Sequence, residues 1–156
     1  MKVGRILRFL SAPERTARGR GYGVHSPFAF RFVREALTQP WAYYAYADLN
    51  RESAQSGENG KGVRALFRAA LYLRPVKVCY VGTPGPAATL ALSLGNPTTV
   101  DDDCPIKAFA ALSDDISVVE EMWLKSGKGM LFSAAQMAIF VEWDNLPHQR
   151  YDIMLP

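Results

Sequence analysis

Apolar positions along this chain recur with two different periods. Val3, Ile6, Leu7 and Leu10 fall at i, i+3, i+4 and i+7, the spacing of one helix face, while Lys2, Arg5 and Arg8 lie off that stripe. Ser11 to Gly23 carries Pro13, Gly19, Gly21 and Gly23 and is expected to be a loop. Ser26-Pro27 then opens a helix, because serine caps well and proline is tolerated at the first helical position. Phe28, Phe32, Val33, Ala36 and Leu37 give that helix a buried side, and Pro40 stops it. Trp41 to Leu49 predicts a second helix, and Ser53 to Gly62 a polar linker. Val63, Leu66, Phe67 and Ala70 mark an amphipathic helix that ends at Arg74-Pro75.

After Pro75 the period changes. Val76 to Val81 is a short β-favouring run, and Gly82-Thr83-Pro84-Gly85-Pro86 is a turn. Ala87 to Leu94 is helix-prone and is terminated by Gly95-Asn96-Pro97. Thr98 to Val100 predicts a second strand, closed by Asp101, Asp102 and Asp103. Pro105 opens a predicted helix through Leu112, and Ile116, Val119, Met122 and Trp123 predict another. Ser126 to Gly129 turns into a strand over Met130 to Ser133. Gln136 to Asn145 is read as a helix, with a strand over Ala138 to Trp143 as the alternative, and Asp152 to Leu155 as a last strand. Strands alternating with helices point to an α/β fold: a Rossmann-like, partial parallel sheet of about four strands with an N-terminal helical cap. The expected division is 1–62 for the cap and linker and 63–156 for the core.

Composition narrows the classes. With 156 residues, 49% hydrophobic and 21% charged, the chain can bury a core, and global disorder is excluded. Met130 to Val141, interrupted by Ser133 and Gln136, is too short to span a bilayer, and Arg8 interrupts the only leader-like run. Two cysteines and two histidines do not supply a four-ligand zinc site or a disulfide framework, so no metal is expected. The expectation is a reduced, soluble, cytoplasmic domain. Residues 1–35 hold eight Lys/Arg against two acids, a net of +6, which leaves −3 for the rest of a chain whose total is +3. Such a basic leader is usually a solvated face; nucleic-acid binding is the less favoured alternative, since no aromatic–basic alternation accompanies it.

The strand, glycine turn and helix over Val76 to Leu94 are the strongest chemical signal. A glycine turn lets backbone approach a ligand, and a helix amino end favours negative charge. In nucleotide-binding α/β folds an acid about 20 residues on holds the ribose, and Asp102 stands at that distance from Gly82. Pro84 and Pro86 remove two amide donors from the loop. The other reactive residues have plainer readings. His25 orients the cap at Ser26, His148 lies in a surface loop, and Cys79 is a small buried hydrophobe. Cys104, beside three aspartates, is a poor nucleophile. Glu120-Glu121 and Asp114-Asp115 are solvated helix and cap charges, and Trp41, Tyr43, Tyr44 and Tyr46 pack the cap against the sheet.

Three blocks carry a family resemblance. Gly21 to Phe30, containing Gly23-Val24-His25-Ser26-Pro27-Phe28, resembles the HGVHSPF-like N-terminus of a Bacteroidetes-type group of class I S-adenosylmethionine-dependent methyltransferase-like proteins. Arg64 to Pro75 with Val78 to Leu92 resembles that group's helix, first strand and adenosylmethionine loop, and Asp102-Asp103-Cys104-Pro105 is similar to its E-G-x-P segment. The resemblance implies a Rossmann-like methyltransferase fold with S-adenosylmethionine as cofactor. It places Gly82, Thr83 and Gly85 against the methionine part and Asp102 on the ribose. Tyr80 stands where the family usually has an acid. The chain also has fewer strands than a full class I fold, so the expected form is truncated or degenerate. Two functions are therefore carried forward: methyl transfer to an unknown acceptor, and a non-catalytic relative acting through protein contacts, such as a homodimer formed across an exposed sheet edge.

Overall fold

A computed structural model describes residues 26–74, 76–96 and 105–156. The predicted helix over Val3 to Leu10, His25, the strand over Thr98 to Val100, Asp102 and Cys104 lie outside the described residues. Helix α1 (Pro27–Phe32) begins where expected: the amide of Ala29 donates to the Ser26 hydroxyl at 3.4 Å. It widens into a π turn over Val33–Leu37 before Pro40. Helix α2 spans Ala45–Ser56, later than the aromatic run suggested. Trp41 and Tyr44 are exposed, whereas Tyr43 and Tyr46 pack edge-on against Phe67 of the next helix rather than against the sheet. Only Gly57 to Asn59 separates α2 from α3 (Gly60–Tyr72). Asn59 caps α3 by accepting from the Gly62 amide at 3.1 Å, so the predicted linker over Ser53 to Gly62 is two helix ends meeting at a tight turn.

Among the described residues the sheet has five strands in the order β1-β2-β4-β3-β5: β1 Val78–Tyr80, β2 Lys107–Leu112, β3 Met130–Ser133, β4 Met137–Glu142 and β5 Gln149–Asp152. Between them run α4 (Pro86–Gly95) and α5 (Ile116–Ser126). The fold is α/β, but the sheet is mixed rather than wholly parallel. β1–β2 and β3–β5 pair in parallel, while β4 is antiparallel to both β2 and β3. The helix predicted from Pro105 to Leu112 is a strand, and between Gln136 and Asn145 the chain takes the strand given as the alternative, not the helix. Lys107–Leu112 and Met137–Glu142 are nearly continuous apolar runs because both of their faces are covered, which erases the alternation that marks a half-buried strand. The last strand begins earlier than Asp152, and Asp152 ends it.

The two faces are cleanly divided by the two-residue period. Ala108, Ala110, Met130, Phe132, Ile139 and Val141 face the side covered by α1 to α4, and Ala111, Leu131, Ala138 and Phe140 face Ile116, Val119 and Trp123 of α5. Phe32 of α1 reaches Phe132 of β3 at 4.9 Å between ring centroids. The cap and the core therefore bury side chains in a single cluster. Among the described residues, no helix is long and apolar enough to cross a membrane.

Candidate functional site: the crevice between β1 and β2

Four of the five strands, β1, β2, β3 and β5, run in one direction, since β4 alone is antiparallel to its neighbours. Their carboxyl ends share one rim, the place where open α/β sheets bind ligands. After β1 the chain passes to the face that α4 shares with α3; after β2 it passes to the opposite face with α5. Neighbouring strands whose connections part to opposite faces leave a crevice between their ends. Here the loop Val81 to Gly85 and the turn Ser113–Asp115 follow the two strands and flank that position.

Gly82 holds φ +94°, a left-handed conformation that favours glycine, and a Cβ there would lie 2.8 Å from Asp115 Oδ2. Ser113 also takes a positive φ, 46°, the only non-glycine residue to do so among those described. Its amide donates to the Gln136 carbonyl at 3.1 Å, which ties the β2 end to the β3–β4 connection. The strained turn projects Asp115 toward the glycine loop, where it stands half-buried. Tyr80 Oη accepts from the Leu112 amide at 3.2 Å and so bridges the two strand ends. Burial pushes the Tyr80 phenol up. The Leu112 amide opposes that shift, and the nearby Asp115 and Glu58 carboxylates add to it.

The amino end of α4 follows directly from the Val81 to Gly85 loop. Pro86 leads it, so the first amides that need partners are those of Ala87 and Ala88. Both are taken by one carboxylate from another element: Ala87 donates to Glu58 Oε1 at 2.8 Å and Ala88 to Glu58 Oε2 at 2.9 Å. The Ser56 hydroxyl donates to Glu58 Oε1 at 2.9 Å and steadies it. Gly85 is required by this approach, because a Cβ there would lie 2.3 Å from Glu58 Oε1.

The sequence-predicted residues Gly82, Thr83 and Gly85 thus sit together in the loop that flanks the crevice; Thr83 is exposed. Two residues were missed. Asp115, expected to be a solvated cap charge, faces Gly82, and reading Lys107–Leu112 as a strand would have placed it at a strand tip. Glu58, inside the expected linker, had no signal in the local pattern, because its partners are 29 and 30 residues away. Other expectations resolve as structure. Cys79 is exposed rather than buried: β1 is the first strand of the sheet, paired on one side among the described residues. His148 is exposed as expected and stacks on Trp123, with centroids 4.1 Å apart and planes 6° from parallel. Glu120 is not simply solvated. It accepts from the buried Ser133 hydroxyl at 3.0 Å and pairs with Arg150 at 3.3 Å. No cluster of three or more metal-ligating side chains occurs among the described residues.

The crevice offers carboxylates and a phenol, a set suited to a cationic or hydroxyl-bearing group. It offers few free amides, since Pro84 and Pro86 have none and Glu58 takes the next two. Comparison with known protein families, with curated proteins and with solved structures finds no match.

Proposed function

We propose that the chain is a Rossmann-like, S-adenosylmethionine-dependent methyltransferase-like protein with the cofactor seated in the crevice between β1 and β2. The observation that carries this reading is the convergence of the Gly82 turn and the Asp115 carboxylate at neighbouring parallel strand ends. The residues fit much of the group. Gly82, Thr83 and Gly85 would run along its methionine part, and Asp115 would meet the ammonium that Tyr80, neutral at pH 7, does not attract. Asp102 remains the residue proposed for the ribose. The ligand's own carboxylate fits least well, because Glu58 already occupies the α4 amides. When bound, adenosylmethionine supplies an electrophilic methyl group on a sulfonium; the protein's part is to hold donor and acceptor in line. No general base is assigned, and the acceptor is unspecified. Calorimetry of the full chain with adenosylmethionine and adenosylhomocysteine tests the reading. Saturable binding that Asp115→Asn weakens by about tenfold is expected, and absence of binding at millimolar ligand removes it.

A second reading rests on a different observation. β5 pairs only with β3 among the described residues and is the outermost described strand on that side of the sheet, the position where a further strand adds most readily. A non-catalytic relative could use that edge to pair with a second copy. Light scattering at high protein concentration decides this: a dimer supports it and a strict monomer removes it.

A further inference from the structure

We propose that the turn Gly57 to Asn59 is a strap that shuts the amino end of α4, with Glu58 as a built-in occupant excluding carboxylate and phosphate groups. This rests on the crevice reading but concerns the protein's own contact. An unpaired amino end of a helix presents amides and a partial positive charge to the solvent. Here a carboxylate from the α2–α3 turn, not from α4 or its loop, fills that position with one oxygen on each amide. Three features fit this contact. Ser56 orients Oε1. Gly85 lacks the one carbon that would collide with it. Asn59, next in the chain, is anchored by capping α3, so the strap has a fixed root and a short free arm. Glu58 is half-buried at the rim, not sealed in the core. The carboxylate therefore lies within reach of solvent. An anionic ligand group entering the crevice has to displace it, and a cationic or neutral group does not.

Amide hydrogen exchange of the full-length chain tests the strap without needing any knowledge of the natural ligand. In the native protein the Ala87 and Ala88 amides are expected to exchange slowly for a first helical turn, because both are bonded to Glu58. Glu58→Ala is expected to speed both by about ten- to a hundredfold, the range set by hydrogen bonds to a charged acceptor, while the interior of α4 stays unchanged. Gly85→Ala is the second variant. The new Cβ evicts the carboxylate while leaving Glu58 in the chain, and φ −75° suits alanine, so the same two amides should speed up. Inorganic phosphate should then slow their exchange in Glu58→Ala and leave the native protein unaffected. The strap is overturned if the two amides exchange equally in native and variant protein, or if the acceleration spreads through α4. Its occupant role is overturned if phosphate protects neither protein or both alike. A failed calorimetric titration with adenosylmethionine would remove the cofactor reading and leave the exchange result standing.

Discussion

Three helix ends among the described residues are closed by charged side chains from other elements; Arg74 closes the carboxyl end of α4, and the other two are closed for different purposes. At the carboxyl end of the α1 π turn, the Arg68 guanidinium donates to the carbonyls of Ala36 at 2.6 Å and Leu37 at 2.7 Å, and to the Tyr46 hydroxyl at 2.8 Å. At the amino end of α4, Glu58 accepts from two amides. Each charge has the sign the helix dipole favours at that pole. The surroundings differ. Arg68 is 4% exposed and reaches from α3 to the end of the α1 π turn and to α2, so no solvent replaces it if it is removed. Glu58 stands at the rim of the crevice, where water can take its place. Burial makes the first contact a structural bolt, and exposure makes the second a removable one.

Removing the bolt should have the largest effect. Arg68→Ala leaves two buried carbonyls and a hydroxyl without their donor, which should cost about 2–5 kcal/mol in denaturant unfolding. Arg68→Lys keeps the charge but has no planar fork to reach three acceptors, and should recover less than half of that loss. If Arg68→Ala unfolds with the native midpoint, the contrast with Glu58 is wrong, because burial would not be what separates the two caps.

The sequence made one side of this contrast easy to read and the other invisible. Ser26-Pro27, the α3 stripe and the β1–turn–α4 unit are local signals, and all three stand where the pattern placed them. The class α/β follows from them. What failed depends on neighbours. Lys107–Leu112 is alanine-rich and covered on both faces, so neither propensity nor alternation identifies it as a strand. That error concealed Asp115, which is informative only as the residue beyond a strand. Glu58 and Arg68 act across 29 to 32 residues of chain, and no window along the sequence contains both a cap and the end it closes.

A smaller effect is expected where the two strand ends are joined. Tyr80→Phe removes the acceptor of the Leu112 amide and keeps the ring, so it should cost about 1 kcal/mol, the net worth of one ordinary hydrogen bond. The change should be local: Ser113 and Asp115, next along from Leu112, lose a tether and should show faster amide exchange. A destabilisation as large as that of Arg68→Ala would place the Tyr80 hydroxyl in the structural class and not in the crevice.

The smallest effect is the pH dependence of the same phenol. Burial raises the Tyr80 pKa above its ordinary 10.0, with Asp115 and Glu58 adding to the shift, and burial with Glu35 does the same to Tyr72. Below about pH 10 both tyrosines are protonated in folded and unfolded chains alike, and neither contributes a slope. As pH rises past 10.0 the unfolded chain releases these protons first, so it binds fewer than the native state and is favoured. Stability should therefore fall with rising pH from about 10 until the folded phenols also ionise. Lys128, whose pKa the Asp144 carboxylate raises, loses its pairing in the same alkaline range, so the slope has more than one source. Tyr80→Phe separates them. Melting temperatures recorded from pH 9 to 11 should decline less steeply in that variant than in the native protein, and Glu58→Gln, which removes one of the repelling charges, should shift the native decline the same way. Parallel declines in all three would show that the two carboxylates and the phenol do not sense one another, and the crevice would lose its electrostatic unity.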